Sequence, residues 1–483
     1  GVKTVLCYLD LGNSHIAAVV AHTLVVGQQI VQHKAVLNGA AAGLQAGDII
    51  MEINGKDMAQ GDRTPNELTS YVSDNLRGDP GTTCVLKLER PTADSTYIPM
   101  ELKITRGTIR TNPVPYYGMV DKNIGYIAIS TFAIEGCSKD IKKALIELKQ
   151  QGATSIVLDL RGNGGGLLSE AVNVVNFFVP KGKEIVVTKG KIKQAGSTYK
   201  TSNEPIDMEI PLTVLVDGAT ASAAEIVSGS LQDLDRAVIV GNRTYGKGLV
   251  QVPRELPYNS SMKVTTAKYY IPSGRCIQAI DYAKRNADGS VARIPDSLTT
   301  VFHTAAGREV RDGGGIRPDV EVKAERFPNI MFYLLNDDMI FDYATQYCIK
   351  HPNIGEVKDF SVTDADYDDF KQMLKKRNFT YDRQSEKSLK NLKEIAEFEG
   401  YMEGASEEFA ALEKKLTHNL DHELNRFSKQ IRKAIAEEIV KRHYFQRGVI
   451  LERMKDDADL TKAIETLKDK EGYTKILSVP ADK

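Results

Sequence analysis

The sequence predicts an α/β protein with a mostly parallel sheet, a small α+β unit before it and a mostly helical region after it. Three observations carry that prediction. Between residues 109 and 330, short apolar strands alternate with amphipathic helices, the pattern of a parallel sheet covered on its faces. In residues 27–108, strands and a helix are punctuated by Gly, Pro and Asn-Gly turn signals. Across residues 331–483, glycine becomes rare and Lys, Glu, Asp and Leu dominate. Residues 1–26 read as a separate strand-rich segment. A length of 483 residues suits about three domains of ~150 residues.

The elements follow in order. Ala42-Gly43-Leu44-Gln45-Ala46-Gly47-Asp48 leads into Ile49-Ile50-Met51-Glu52-Ile53, an alternating strand closed by Asn54-Gly55. Asn66 to Leu76 reads as a helix, stopped by Gly78-Asp79-Pro80-Gly81. Cys84 to Arg90 is a strand. Ile124 to Phe132 is a strand, and Lys139 to Lys149 is an amphipathic helix. Ser155 to Leu160 is a buried strand that runs into a glycine loop. Leu212 to Val216 is another, followed by a small-residue turn and a helix from about Ser222 to Gln232. Ala237 to Gly241 is a third. Leu412, Leu416, Leu420, Leu424, Phe427, Ile431, Ile435 and Ile439 recur every three or four residues, one apolar face of a long helix. That face either packs within the chain or joins two copies into a homo-oligomer.

Composition excludes several classes. Hydrophobic residues make up 42% and charged residues 26%, ordinary for a soluble globular protein. A net charge of -1 supplies no field to draw in nucleic acid. No apolar run approaches the ~18 residues that span a bilayer. The chain opens at Gly1-Val2-Lys3-Thr4 with no signal peptide, which fits a processed or trimmed chain. Five cysteines, odd in number and widely spaced with no C-x-x-C, argue for free buried thiols over disulfides or zinc.

Acyl-transfer chemistry needs an activated hydroxyl, a base and donors for the developing oxyanion. Val214 to Ala223 offers the hydroxyl: an apolar strand ends in a small-residue turn, and Ser222 stands where a helix begins. Free N–H groups at a helix start suit an oxyanion. Ser222 or Thr220 also reads as a plain N-cap, since Ser and Thr are favoured there. Lys247 lies between Gly246 and Gly248, so its surroundings can close tightly on it. At the ordinary pKa of ~10.4, only about one lysine in a thousand is neutral near pH 7.4, so a lysine base requires burial. Gln251, four residues on, shares a face with Lys247 if the segment is an unbroken strand, and then it orients the amine.

The same stretch nearly matches a phosphate-binding loop, but Gly248 replaces the hydroxyl residue and strand-like Leu249 to Pro253 follows in place of a helix. Asp159-Leu160-Arg161-Gly162-Asn163-Gly164-Gly165-Gly166 is a glycine loop after a strand, suited to an oxyanion hole, an anion nest or a tight turn. No histidine supports a Ser-His-Asp triad. His303 has no visible partner. His418 and His422 are four apart but lack the glutamate of a zinc protease helix, and a solvated helix face explains them.

Taken together, these motifs resemble the carboxy-terminal processing, or tail-specific, proteases of peptidase family S41 over roughly residues 40–325. The family pattern D-L-R-x-N-x-G-G is met by Asp159, Leu160, Arg161, Asn163, Gly165 and Gly166. The nucleophile pattern is met by Thr220-Ala221-Ser222-Ala223-Ala224-Glu225, with Ala224 where Ser or Gly is more usual. T-[FY]-G-K-G-x-V-Q is met in full from Thr244 to Gln251. Ile271 to Gln278, Gly314 to Asp319 and Leu76 to Thr82 also resemble family signatures. The resemblance implies Ser222 as nucleophile, Lys247 as base and Gln251 as its holder. It implies an oxyanion hole from the backbone of Ala223 and of Gly165 or Gly166. It further implies a crotonase- or Clp-protease-like α/β core, an inserted or preceding PDZ-like domain, no metal or organic cofactor, and residence in the periplasm or cell envelope. Partners would be proteins or peptides with apolar C-terminal tails, added to the PDZ-like sheet as a strand. Its carboxylate-binding loop involves either Gly1-Val2 or Gly27. Arg77, beside a glycine hinge, is the candidate for coupling tail binding to the reaction centre, against a simple surface ion pair. Two readings compete: a catalytically silent peptide- or lipid-binding scaffold, and a protease held inactive by its helical region until a partner or self-cleavage releases it.

Overall fold

A computed structural model describes residues 36–37, 42–58, 65–94, 96–107, 112–191, 196–258, 260–285, 291–323, 325, 327–381, 383–416 and 419–478. The strand-rich segment 1–26, Cys7, both carboxylate-loop candidates and His418 lie outside the described residues.

The α+β unit comprises β1 (Val36–Leu37), β2 (Ile49–Ile53), β3 (Lys56–Asp57), α1 (Pro65–Leu76), β4 (Thr83–Pro91) and β5 (Tyr97–Gly107). Its five strands pair antiparallel in the order β1-β5-β4-β2-β3. The turn after β2 uses Asn54 and Gly55, both at positive φ, as an Asn-Gly hairpin demands. Val72 and Leu76 of α1 pack on Ile50, Ile53, Leu86, Leu88 and Ile104. Arg106 closes the helix, donating from Nε to the Leu76 carbonyl at 2.8 Å. A Cβ at Gly78 would lie 2.8 Å from that Nε, so the glycine makes room for the arginine.

The core starts with β6 (Tyr116–Asp121), β7 (Ile124–Ala128), α2 (Cys137–Gln150), β8 (Ser155–Asp159) and α3 (Leu168–Val175). It continues through β9 (Glu184–Lys189), β10 (Ser197–Lys200), β11 (Leu212–Val216), α4 (Ala223–Asp233), β12 (Val238–Gly241), β13 (Leu249–Leu256) and β14 (Ser260–Tyr270). Two short hairpins follow, β15 (Ile280–Arg285) with β16 (Val291–Arg293) and β17 (Val301–His303) with β18 (Glu309–Arg311), before β19 (Val320–Glu321). The main sheet runs β19-β12-β11-β8-β7-β6, parallel throughout except for the β6–β7 pair. A second, antiparallel sheet runs β10-β9-β14-β13. The strand predicted to reach Phe132 stops at Ala128, and Phe132 instead bridges Gly166.

Strand alternation explains how the main sheet is covered. Ile156, Leu158, Val214, Val216 and Ile239 face one way, onto α2, α3 and α4. Val157, Leu215, Val238 and Val240 face the other way, onto Leu460, Ala463 and Leu467.

Those last three residues belong to the helical region. It holds α5 (Asn329–Asn336), α6 (Met339–Lys350), α7 (Asp364–Lys376), α8 (Gln384–Phe398), α9 (Met402–Leu416), α10 (Leu420–Arg426), α11 (Ser428–Met454), α12 (Ala458–Lys468) and α13 (Lys470–Ile476). The single long helix expected from Leu412 to Ile439 is therefore three. Asn419 starts α10 by accepting a hydrogen bond from the His422 N–H at 3.0 Å, an N-cap that interrupts the run. Phe445 breaks α11 with φ 54° and ψ -150°. Leu424, Ile431, Ile435 and Ile439 are buried within the chain, whereas Leu412 is exposed. Among the described residues, no helix is long and apolar enough to cross a membrane. Cys84 and Cys137 are free and buried; Cys276 and Cys348 are free and half-buried.

Candidate active site

Three loops converge at the carboxyl ends of β8, β11 and β12. The loop after β11 carries Ser222, whose φ of 58° and ψ of -117° are a strained backbone for a residue with a side chain. The strain is held from below. The Thr220 hydroxyl donates to the Leu160 carbonyl at 2.8 Å, and Asp217 accepts from the Thr220 N–H at 2.9 Å. Ser222 is the N-cap residue of α4, as the plain reading expected, yet it is half-buried and not sealed.

Glu225, fully buried on the first turn of α4, ties this loop to the next. Its Oε2 accepts the N–H of Ser222 and the N–H of Lys247, each at 2.9 Å. Its Oε1 accepts the Gly246 N–H at 2.7 Å and the Thr244 hydroxyl. Burial pushes the pKa of this carboxyl up, against the pull of the donors around it.

Lys247 sits where its flanking glycines predicted a tight fit. A Cβ at Gly246 would lie 2.2 Å from the Ala279 Cβ, and one at Gly248 would lie 2.7 Å from the Gln278 nitrogen. The Gly248 N–H donates to Gln278 Oε1 at 2.7 Å. Burial lowers the Lys247 pKa, the nearby Lys263 charge lowers it further, and Glu225 acts in the opposite sense. Among the described residues the Lys247 amine makes no hydrogen bond. The Tyr269 hydroxyl donates to the Lys247 carbonyl and also lies against the Ser222 side chain. Burial raises its pKa well above the ordinary phenol range, so it stays protonated at neutral pH.

Gln251 is placed differently from its predicted role. The strand begins only at Leu249, and its pairing register shifts between Val250 and Gln251. The unbroken strand that would align Gln251 with Lys247 is absent, and the Gln251 amide instead reaches the Thr265 hydroxyl at 3.5 Å.

The glycine loop after β8 lies against the Ser222 loop. A Cβ at Gly165 would meet the Ala221 carbonyl oxygen at 2.7 Å and both the Ala223 nitrogen and Ser222 Cβ at 2.8 Å. Only a glycine, here at φ 96°, permits that approach. Asn163, with no exposed surface, organises the loop. Its amide donates to the Ile129 carbonyl at 2.8 Å, its Oδ1 accepts the Gly165 N–H at 2.9 Å, and its carbonyl accepts the Ala221 N–H at 2.9 Å. The Gly165 N–H is thus engaged. Among the described residues, the N–H groups of Gly166 and Ala223 have no acceptor.

Arg77 lies outside this cluster, at the end of α1. Its guanidinium is 4.0 Å from the exposed Asp74, an i,i+3 surface pair. Among the described residues, no group of three His, Cys, Asp or Glu could hold a metal.

Three further contributors carry little or no signal in the sequence. Glu225 stands three residues after Ser222, the spacing of a capping box, so its link to the helix start was readable. Asn163 was visible in the loop motif but had no role. Tyr269 comes from a strand and had no local signal.

Residues 123–284 match the model for peptidase family S41, and residues 330–467 match the one for a probable PDZ-protease C-terminal helical domain. Residues 123–284 are thus similar to the S41 peptidases, over about a third of the chain. The S41 segment runs from the start of β7 to β15 and contains all three converging loops. The chain is 38% identical over 247 residues to the carboxy-terminal-processing protease of Bartonella bacilliformis, covering 50% of this chain and 54% of that one. It is 38% identical over 235 residues to the carboxyl-terminal-processing protease of a Picosynechococcus species, covering 48% and 53%. It is 32% identical over 272 residues to the chloroplastic C-terminal processing peptidase of Tetradesmus obliquus, covering 54% and 55%. The chain spans about half the length of these relatives.

Proposed function

We propose that this chain is a serine endopeptidase in which Ser222 is the nucleophile and Lys247 the general base. The observation that carries the reading is the Glu225 carboxylate, which accepts the backbone N–H of both residues and so holds the two loops side by side. Ser222 Oγ attacks the scissile carbonyl carbon while the neutral Lys247 amine takes the hydroxyl proton. The tetrahedral oxyanion is met by the Ala223 N–H, first of α4, and by the glycine loop. Gly166 offers a free N–H there; Gly165 must release Asn163 to contribute. The Lys247 ammonium then gives its proton to the departing amine. In the second half, Lys247 activates water to release the acyl group from Ser222. Gln251 is assigned the orientation of the amine on family resemblance, and reaches it by leaving Thr265.

In this reading the core is of the crotonase and Clp-protease type. The α+β unit acts as a PDZ-like domain that adds an apolar C-terminal tail to its sheet. Arg77 couples that tail to the reaction centre, and the protein works in the periplasm or cell envelope. Support comes from this chain's own motifs and from the names of the relatives above, each a processing protease or peptidase.

The test is digestion of an unstructured reporter protein with an apolar C-terminal tail, by wild type, Ser222→Ala and Lys247→Ala. Cleavage by wild type alone, with both variants folded, upholds the reading. Equal cleavage by all three refutes it. Tail binding by all three without cleavage selects the silent scaffold.

A further inference from the structure

The guanidinium of Arg161 joins the glycine loop to a helix almost three hundred residues away. Arg161 opens that loop, immediately after Leu160. Its Nε and NH2 groups grip Asp159, the last residue of β8, with NH2 to Oδ2 at 2.6 Å. The remaining donors go to the start of α12. NH1 donates to Asp457 Oδ1 at 2.9 Å and to Asp459 Oδ2 at 3.1 Å, and NH2 donates to Asp457 Oδ2 at 2.7 Å. The pair with Asp457 is bidentate, the geometry that fixes direction as well as distance. The side chains are largely out of water, with 22% of Arg161 and 8% of Asp457 exposed. Screening is weak there, and the pair is not a loose surface contact.

The loop transmits this hold to the reaction centre in short steps. The Gly162 N–H donates to Asp217 at 3.0 Å, and Asp217 holds the Thr220 turn. The next residue, Asn163, fixes both Gly165 and Ala221. From the cap of α12 to the Ser222 backbone there is thus an unbroken run of hydrogen bonds and peptide units.

We propose that Asp457 and Asp459 are positioning residues for the oxyanion loop: the helical region, through Arg161, holds the Gly162–Gly166 backbone against Ser222. This inference rests on the assignment of Ser222 as nucleophile, but part of its test does not. Helix α12 and the α13 that follows it have other anchors. Leu460, Ala463 and Leu467 are buried against the sheet, the Tyr473 hydroxyl donates to the Leu212 carbonyl and accepts its N–H, and Lys468 pairs with Asp121. Removing the two charges therefore slackens the loop without detaching the helix. Asp457 also caps α12, accepting the Leu460 N–H at 3.0 Å. Asparagine caps equally well, so Asp457→Asn removes the charge and spares the cap.

The experiment compares the full chain with its Asp457→Asn/Asp459→Asn double variant in two ways. Amide hydrogen exchange reads the peptide spanning residues 160–168, and steady-state cleavage of the tailed reporter gives kcat and KM. The expected result is faster exchange confined to that peptide, with kcat lower by about 100-fold and KM within about twofold, as for a reacting geometry displaced by an ångström. Single variants Asp457→Asn and Asp459→Asn should fall between. Unchanged exchange in the loop overturns the proposal, whatever the activity. So does a kcat loss matched by general exchange across α12 and the sheet, which would mark a structural role alone. Wild type that fails to cleave refutes the protease assignment instead, and the exchange result still decides whether α12 holds the loop.

Discussion

At Glu225 a single carboxylate has four donors converging on it in a place closed to water. An amide there presents an NH2 group to backbone N–H groups that need an acceptor, so Glu225→Gln leaves buried donors unpaired. The expected cost is about 1–3 kcal/mol of stability and, because the two loops part, a kcat lower by about 100-fold. Denaturant unfolding and steady-state kinetics check the two numbers separately. Lys247 supplies a second prediction at this scale. If Lys247 is the base, as proposed, it must be neutral to act, so kcat/KM is expected to rise with pH through its pKa. The exposed Lys263 lowers that pKa by disfavouring a second positive charge nearby. Lys263→Gln therefore raises it, and the activity limb moves to higher pH. A pH profile that stays in place, or moves to lower pH, would contradict this electrostatic account.

The glycine loop shows what an element can require of one residue. In Gly165→Ala the new methyl meets the Ala221 carbonyl oxygen and the Ala223 nitrogen, which are backbone and cannot swing away. On the proposed reading the chain should fold and lose about 100- to 1,000-fold in kcat, the scale of a lost oxyanion donor. Elements like this one were legible in the sequence because their signals are local. Apolar runs at Ser155–Asp159 and Leu212–Val216 marked the strands, and the small residues around Ser222 marked the turn. What failed to read were contacts between distant segments. The offset from Lys247 to Gln251 looked like one strand face, but Gly248 is drawn onto Gln278, so the ladder starts late and shifts register. The apolar repeat through Leu412–Ile439 predicts one helix, because a repeat reports a face and not its interruptions. The Asn419 cap was in plain sight within it. Tyr269 reaches the site only because β14 passes beneath it, which no local pattern encodes.

At the scale of the whole molecule, the helical region is part of the core's own construction. The sheet face formed by Val157, Leu215, Val238 and Val240 is apolar, and α12 covers it. A chain cut after residue 330 exposes that face. Trimming is therefore expected to yield an inactive, aggregating product, not a released enzyme, as light scattering and the reporter digest would show. Recovery of soluble, faster enzyme would instead favour a helical region that holds the protease silent. A milder cut at the same interface is Leu460→Ala, a buried leucine whose loss costs about 2–5 kcal/mol. Its thermal unfolding should report one lowered transition if sheet and cover melt as a unit.

The distance in sequence between the sheet and its cover also has a meaning in time. A ribosome makes the strands from Ile124 to Gly241 well before it makes Leu460, at a pace of about 5–20 residues per second. For the intervening interval the nascent sheet has only one dressed face, and Arg161 has only Asp159 to hold. Arg161 gains its Asp457 and Asp459 partners only when α12 arrives, so the hold on the glycine loop is among the last contacts the growing chain can complete.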